Sequence, residues 1–139
     1  MENIRLKYQN ALITFTSVIP EKKISADGFH FSNLVYNLLD NSIKYSSGIP
    51  QVNIDVKEDQ KNIIFSVTDK GMGISKSNLE NIFDKFYRIP GKKLNEVAGF
   101  GLGLFYVKKI CDAHKWKISA VSELNTGTTI TILIPKEYA

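Results

Sequence analysis

The chain has 139 residues, 43% hydrophobic and 23% charged, which suffices for one domain with a real core and is too short for two. Its net charge of +4 comes from lysines scattered singly and in pairs (Lys22–Lys23, Lys92–Lys93, Lys108–Lys109), so a nucleic-acid binder is disfavoured and a small anion such as a nucleotide suits the charge better. One cysteine, Cys111, excludes an internal disulfide framework and suits a reducing cytosol; no apolar stretch approaches a membrane span, and "MENIRLKYQN" lacks a signal-peptide core.

In chain order, "ALITFTSV" (11–18) is rich in β-formers and predicts a strand, with "EKKIS" a candidate short second one. Asp27 is placed to cap a helix running to about Tyr45, which "SSGIP" ends through Gly48 and Pro50. "QVNIDVKE" and "NIIFSVTD" alternate with period two, and Glu58 to Asn62 reads as their hairpin loop. A short helix is expected near 76–82, where Ser77 and Glu80 have capping-box spacing. "FDKFYRIPGKKLNEVAGFG" reads as a loop with a helical start. A helix follows over about Leu102 to His114, with Leu104, Val107, Ile110 and Cys111 at helical spacing. "WKISAVS" and "TTITILIP" close the chain as strands around the turn "ELNTG". The sum is one α+β domain over 1–139, a two-layer α/β sandwich with a mixed, mainly antiparallel sheet and its helices on one face.

Three stretches can carry chemistry. In "NLVYNLLDNSIKYS", Asn37, Asn41 and Lys44 share an arc of roughly 60° beside the apolar face of the helix. An amide oxygen suits Mg²⁺ and a lysine suits phosphate, though a solvated polar flank has the same pattern. "DKGMGI" (69–74) follows a strand and offers a carboxylate, Asp69, before Gly71 and Gly73; an ionised Asp can hold an amino group such as adenine's, and the same letters also make an ordinary turn. "GFGLGL" (99–104) feeds a helix whose N-terminal N–H groups suit an anion; it is neither a Walker loop nor a dinucleotide fingerprint, and a plain glycine-rich turn remains open.

Asn-x₃-Asn-x₂-Lys-Tyr, Asp-x-Gly-x-Gly-Ile, Phe-x₂-Phe and Gly-x-Gly-x-Gly-Leu follow in this order, and "GTTITILIP" closes the chain. That series resembles the ATP-binding catalytic domain of bacterial sensor histidine kinases, a Bergerat-type ATP-binding fold, from about Ile13 to Pro135. The resemblance implies that Asn37 ligates Mg²⁺, that Asn41 and Lys44 contact phosphate, and that Tyr45 borders the nucleotide. Asp69 would accept the adenine amino group, with Gly71, Gly73 and Ile74 shaping that wall and Thr128 supporting the contact. Phe83 and Phe86 would anchor a lid, Arg88 would reach the γ-phosphate, and Gly99, Gly101, Leu102 and Gly103 would close on the phosphates. Lys44 and Arg88 are thus the expected catalytic residues; Lys92 and Lys93 fall inside the lid, as solvated residues or as phosphate contacts. ATP and Mg²⁺ are the implied cofactors. The implied partners are the kinase's histidine-bearing dimerisation domain and, indirectly, a response regulator, with no nucleic acid and no direct membrane contact, on the cytoplasmic side.

Departures from the family pattern are informative. Phe100 stands where some relatives place a polar group that helps hold the metal, and Ser42 stands where Ala is frequent. Asn33 occupies the position at which related ATP-hydrolysing families carry a Glu base; an amide takes no proton at neutral pH, so hydrolysis by that route is disfavoured and phosphoryl transfer is left open. Neither His30 nor His114 is followed by the acidic residue usual after a phosphoacceptor, and both read as structural. A nucleotide-dependent protein-binding module or anti-sigma-type serine kinase shares the fold, but "IFDKFYRI" favours the histidine kinase. Intact Asn37, Asp69 and three glycines argue against a degenerate domain.

Overall fold

The computed structural model describes residues 12–17, 28–44, 49–85, 87 and 103–136. Among them one sheet contains β1 (Leu12–Ser17), β2 (Gln51–Glu58), β3 (Asn62–Asp69), β4 (Lys117–Glu123) and β5 (Gly127–Pro135), in the order β1-β2-β3-β5-β4. β1 runs parallel to β2; all other neighbours are antiparallel. The helices are α1 (Gly28–Lys44), α2 (Lys76–Leu79) and α3 (Gly103–Ala113).

Period-two alternation divides the sheet into an apolar and a polar face. Ile63, Phe65 and Val67 of β3 and Ile130, Ile132 and Ile134 of β5 are buried, and Leu34, Leu38 and Leu39 of α1 and Leu104, Val107 and Ile110 of α3 join the same core. Each such side chain contributes about 1.5–3 kcal/mol when fully buried. Phe31 meets Phe65 and Trp116 edge-on, with ring centroids 6.3 and 6.1 Å apart, and His30 Nδ1 lies 2.8 Å from the Tyr106 hydroxyl, tying α1 to α3. The opposite face carries hydroxyls in pairs: Thr68 and Thr129 Oγ1 atoms are 3.0 Å apart, and Ser66 Oγ is 3.3 Å from Thr131 Oγ1. Cys111 is fully buried in α3, and burial pushes its thiol up to about 12, so it is a core residue and no nucleophile.

The expected helix at 76–82 is shorter. Ser75 is its N-cap, accepting from Asn78 N at 3.4 Å, so the Ser77–Glu80 capping box is not formed. Asn81 ends the helix by taking the Ser77 carbonyl with its side chain (3.3 Å) while its own N–H turns to Asn78 O (3.0 Å). This is the usual competition between a short amide and the helical ladder. Tight turns then carry the chain through Asp84, with Ile82 buried and Phe83 packed on the core. β4 begins one residue later than its β-rich sequence predicts, because Trp116 is drawn into the core. The possible "EKKIS" strand, the Asp27 cap and the helix end at Tyr45 lie outside the described residues.

Candidate functional site

β3 ends at Asp69, and the pairing register places Asp69 opposite Thr128 on β5 and Thr128 opposite Ser122 on β4. Directly opposed residues project from the same face, so the three form a polar row at one end of the helix-covered side. Asp69 is only 8% exposed, which is costly for a carboxylate unless it is hydrogen-bonded. Its Oδ1 accepts from Gly71 N at 2.9 Å and Thr128 N at 3.3 Å, and the buried Ser42 hydroxyl of α1 also bonds the carboxylate. Burial nevertheless prevails and raises the carboxyl above its ordinary value of 3.8, with these three bonds opposing the shift. Both backbone bonds fall on Oδ1.

The Asp69–Ile74 loop is interlocked with the β4–β5 turn. Gly73 has φ +73°, and a Cβ there would overlap the Glu123 carbonyl. Gly127 has φ +145°, and a Cβ there would overlap the Asp69 carbonyl. Asn125 N donates to Met72 O at 2.8 Å, and Ile74 N donates to Ser122 Oγ at 2.8 Å. Gly73 and Gly127 therefore lock the loop to the turn from opposite sides, and Gly71 N holds Asp69.

α1 supplies the second wall. Asn37 donates Nδ2 to the Asn33 carbonyl at 2.8 Å, which leaves Oδ1 as its outward-acting atom, and a Cβ on Gly103 would lie 3.4 Å from that oxygen. The start of α3, which carries no acidic residue in its first turn, thus abuts Asn37. Asn41 lies half-buried one turn later. Lys44 is engaged by Asp40, Nζ to Oδ2 at 2.8 Å, an i,i+4 pair in the favourable orientation. Tyr45, Phe86, Arg88, Lys92, Lys93, Gly99, Phe100, Gly101 and Leu102 lie outside the described residues.

Four lysines (Lys61, Lys115, Lys117 and Lys136) line a groove with Asn62 and Pro135. The register puts Asn62 opposite Pro135 at the other end of β3, about 23 Å from Asp69 for a strand of this length. That part of the positive charge does not serve the Asp69 site. Ser42, Ser122 and Gly127 are site residues that sequence reasoning left aside; a "Ser-x₄-Gly-Thr" spacing at a hairpin is the one signal available for two of them.

Sheet order, helices on one face and an Asp–Gly loop at the sheet end define an ATP-binding α/β sandwich of the Bergerat type. The chain belongs to the histidine kinase-, DNA gyrase B- and HSP90-like ATPase family, whose profile matches residues 26–138. It is 40% identical over 134 residues to sensor protein RprX of Bacteroides fragilis, covering 95% of this chain and 26% of that protein. It is 34% identical over 127 residues to sensor histidine kinase WalK of Bacillus subtilis, covering 88% and 21% respectively. The catalytic domain of histidine kinase ThkA superposes with a TM-score of 0.78 at 26% identity, covering 97% of this chain and 86% of that one. The mycobacterial sensor histidine kinase MprB shares the fold, with a TM-score of 0.85 at 24% identity over 96% and 89% of the two chains. The chain thus spans 26% and 21% of these two relatives and corresponds to the ATPase domain of sensor histidine kinases. Among the described residues no helix is long and apolar enough to cross a membrane.

Proposed function

We propose that this domain binds Mg·ATP and transfers the γ-phosphoryl group to a histidine on a separate dimerisation domain, from which a response regulator receiver domain takes it. The observation that carries the nucleotide reading is Asp69, a buried carboxylate kept in place by two N–H groups and a hydroxyl, whose remaining lone pairs would accept an amino group. The adenine amino group is that donor, and Gly71, Gly73 and Ile74 form the wall on which the ring lies. In the transfer, an imidazole nitrogen of the acceptor forms a bond to the γ-phosphorus, the bond to the β,γ-bridging oxygen breaks, and ADP leaves.

The chain's own contribution is positioning and charge neutralisation. Among the described residues no cluster of three or more His, Cys, Asp or Glu could hold a metal. An amide oxygen is a hard, neutral donor, so Asn37 Oδ1 fits an Mg²⁺ whose other ligands are phosphate oxygens and water. Bound there, Mg²⁺ would neutralise phosphate charge. Lys44 has three N–H donors and can share them between Asp40 and a phosphate oxygen, with Asn41 alongside. Tyr45, Arg88, Gly99, Gly101 and Leu102, with Gly103 at the start of α3, are the expected remaining contacts. Asn33 provides no base, since its side chain is an amide that takes no proton at neutral pH.

Two experiments test this reading. Mixing the chain with Mg·ATP and a separate dimerisation domain bearing the acceptor histidine should place acid-labile phosphate on that partner; acid-stable phosphate would favour a serine kinase instead. Asn37→Ala should weaken ATP binding about tenfold or more when Mg²⁺ is present and little in EDTA, as measured by calorimetry. An equal loss in both buffers refutes the metal role.

A further inference from the structure

Ser122 sits at the crossing of three hydrogen bonds. Its Oγ accepts from Ile74 N at 2.8 Å, donates to Gly127 O at 3.0 Å and lies 2.7 Å from Thr128 Oγ1. A hydroxyl has one proton to give and two lone pairs to fill. The Gly127 carbonyl can only accept, so the Ser122 proton goes there. All three contacts are then made at once only if Thr128 donates its own proton to Ser122. That leaves Thr128 Oγ1 with no proton for anything else, and it faces a ligand or a bridging water as an acceptor alone.

Thr128 is the register partner of Asp69, and its amide also donates to Asp69 Oδ1 at 3.3 Å. The end of the sheet therefore presents two acceptors side by side, a carboxylate oxygen and a hydroxyl stripped of its donor capacity. We infer that Ser122 is a positioning residue for base selection: by consuming the Thr128 proton it makes this end of the site demand a donor, so that a 6-amino purine is accepted and a 6-keto purine rejected. The inference rests on the nucleotide reading of the Asp69 site. It applies where Thr128 meets the 6-substituent directly, an amino donor in adenine and a keto acceptor in hypoxanthine.

The test is calorimetric titration of the chain with Mg·ATP and with Mg·inosine triphosphate, for wild type, Ser122→Ala and Ser122→Thr. Wild type should favour ATP. Ser122→Ala releases the Thr128 proton, so the ATP-to-inosine-triphosphate affinity ratio should fall about three- to tenfold, on top of any loss common to both ligands. Ser122→Thr keeps the hydroxyl and should restore the wild-type ratio. If Ser122→Ala weakens both nucleotides equally, Ser122 merely braces the loop and the inference is overturned while the nucleotide reading stands. If Ser122→Ala does not fold, Ser122→Cys keeps the volume with a much weaker donor and acceptor, and the same fall in ratio is required of it. A wild-type chain that binds neither nucleotide overturns both readings.

Discussion

Asp69→Asn should lower ATP affinity by about 10- to 150-fold and, at the same time, raise the melting temperature of the unliganded domain at neutral pH. Both effects come from one site. A hydrogen bond to a charged acceptor is worth about 1.5–3 kcal/mol, and its loss here leaves an amide NH₂ facing the adenine amino group, donor against donor. The asparagine oxygen can still receive the Gly71 and Thr128 N–H groups, so the loop keeps its shape. The stability gain follows from the sign of the pKa shift. Burial raises the Asp69 carboxyl above 3.8, so between 3.8 and the raised value the folded state holds a proton that the unfolded state has released. Stability therefore falls as pH climbs through that window, and the full cost of the buried charge stands above it. An amide carries no such cost. Thermal melts from acid to neutral pH should show the wild type losing stability through that window relative to the variant, with the variant more stable at pH 7. A variant that is less stable than wild type at pH 7 refutes the desolvation argument, and unchanged ATP affinity refutes the adenine assignment.

Asp69 was legible in the sequence because its neighbours in the chain do much of the work: Gly71, two residues on, donates to it, and an Asp at the end of an alternating strand followed by two glycines is a local pattern. The strands themselves were equally legible, since period-two alternation predicts both the pleat and the buried face. Local pattern says nothing of the rest of the carboxylate's surroundings, of which the family resemblance supplied Thr128 alone. Thr128 lies 59 residues away and meets Asp69 only because β5 inserts between β3 and β4. The same insertion brings Ser122 to Thr128, and α1 lowers Ser42 onto the carboxylate from above. Read alone, Ser42 is a small variation on alanine; in the fold it opposes the cost of a buried charge. The Asp40–Lys44 pair has the i,i+4 spacing that a helix brings into contact. The shortened α2 is the converse case, in which good helical spacing yields to Asn81 bonding back to Ser77.

The second large effect is steric, and it falls on a glycine that carries no chemistry. Gly127→Ala should destabilise the domain by about 3 kcal/mol, roughly 10 °C in melting temperature, and should also impair ATP binding. At φ +145° a side chain is strained whatever the space around it, and here there is none, because the added methyl would overlap the Asp69 carbonyl. Relief requires the β3 end to move away from β5. That motion stretches the bond from Thr128 N to Asp69 Oδ1 and displaces the carboxylate proposed to hold adenine. Gly73→Ala applies the same wedge from the other side, at φ +73° against the Glu123 carbonyl and the Leu124 backbone. Because the two glycines hold one interlock, their effects should not add. Once either methyl has parted the loop from the turn, the second meets a space already opened, so the double variant should lose clearly less stability than the two single losses together. Chemical denaturation of the four proteins measures this directly. Strict additivity would mean that the loop and the turn are strained separately, and a Gly127→Ala melting temperature within about 2 °C of wild type would mean that the β3 end yields without cost.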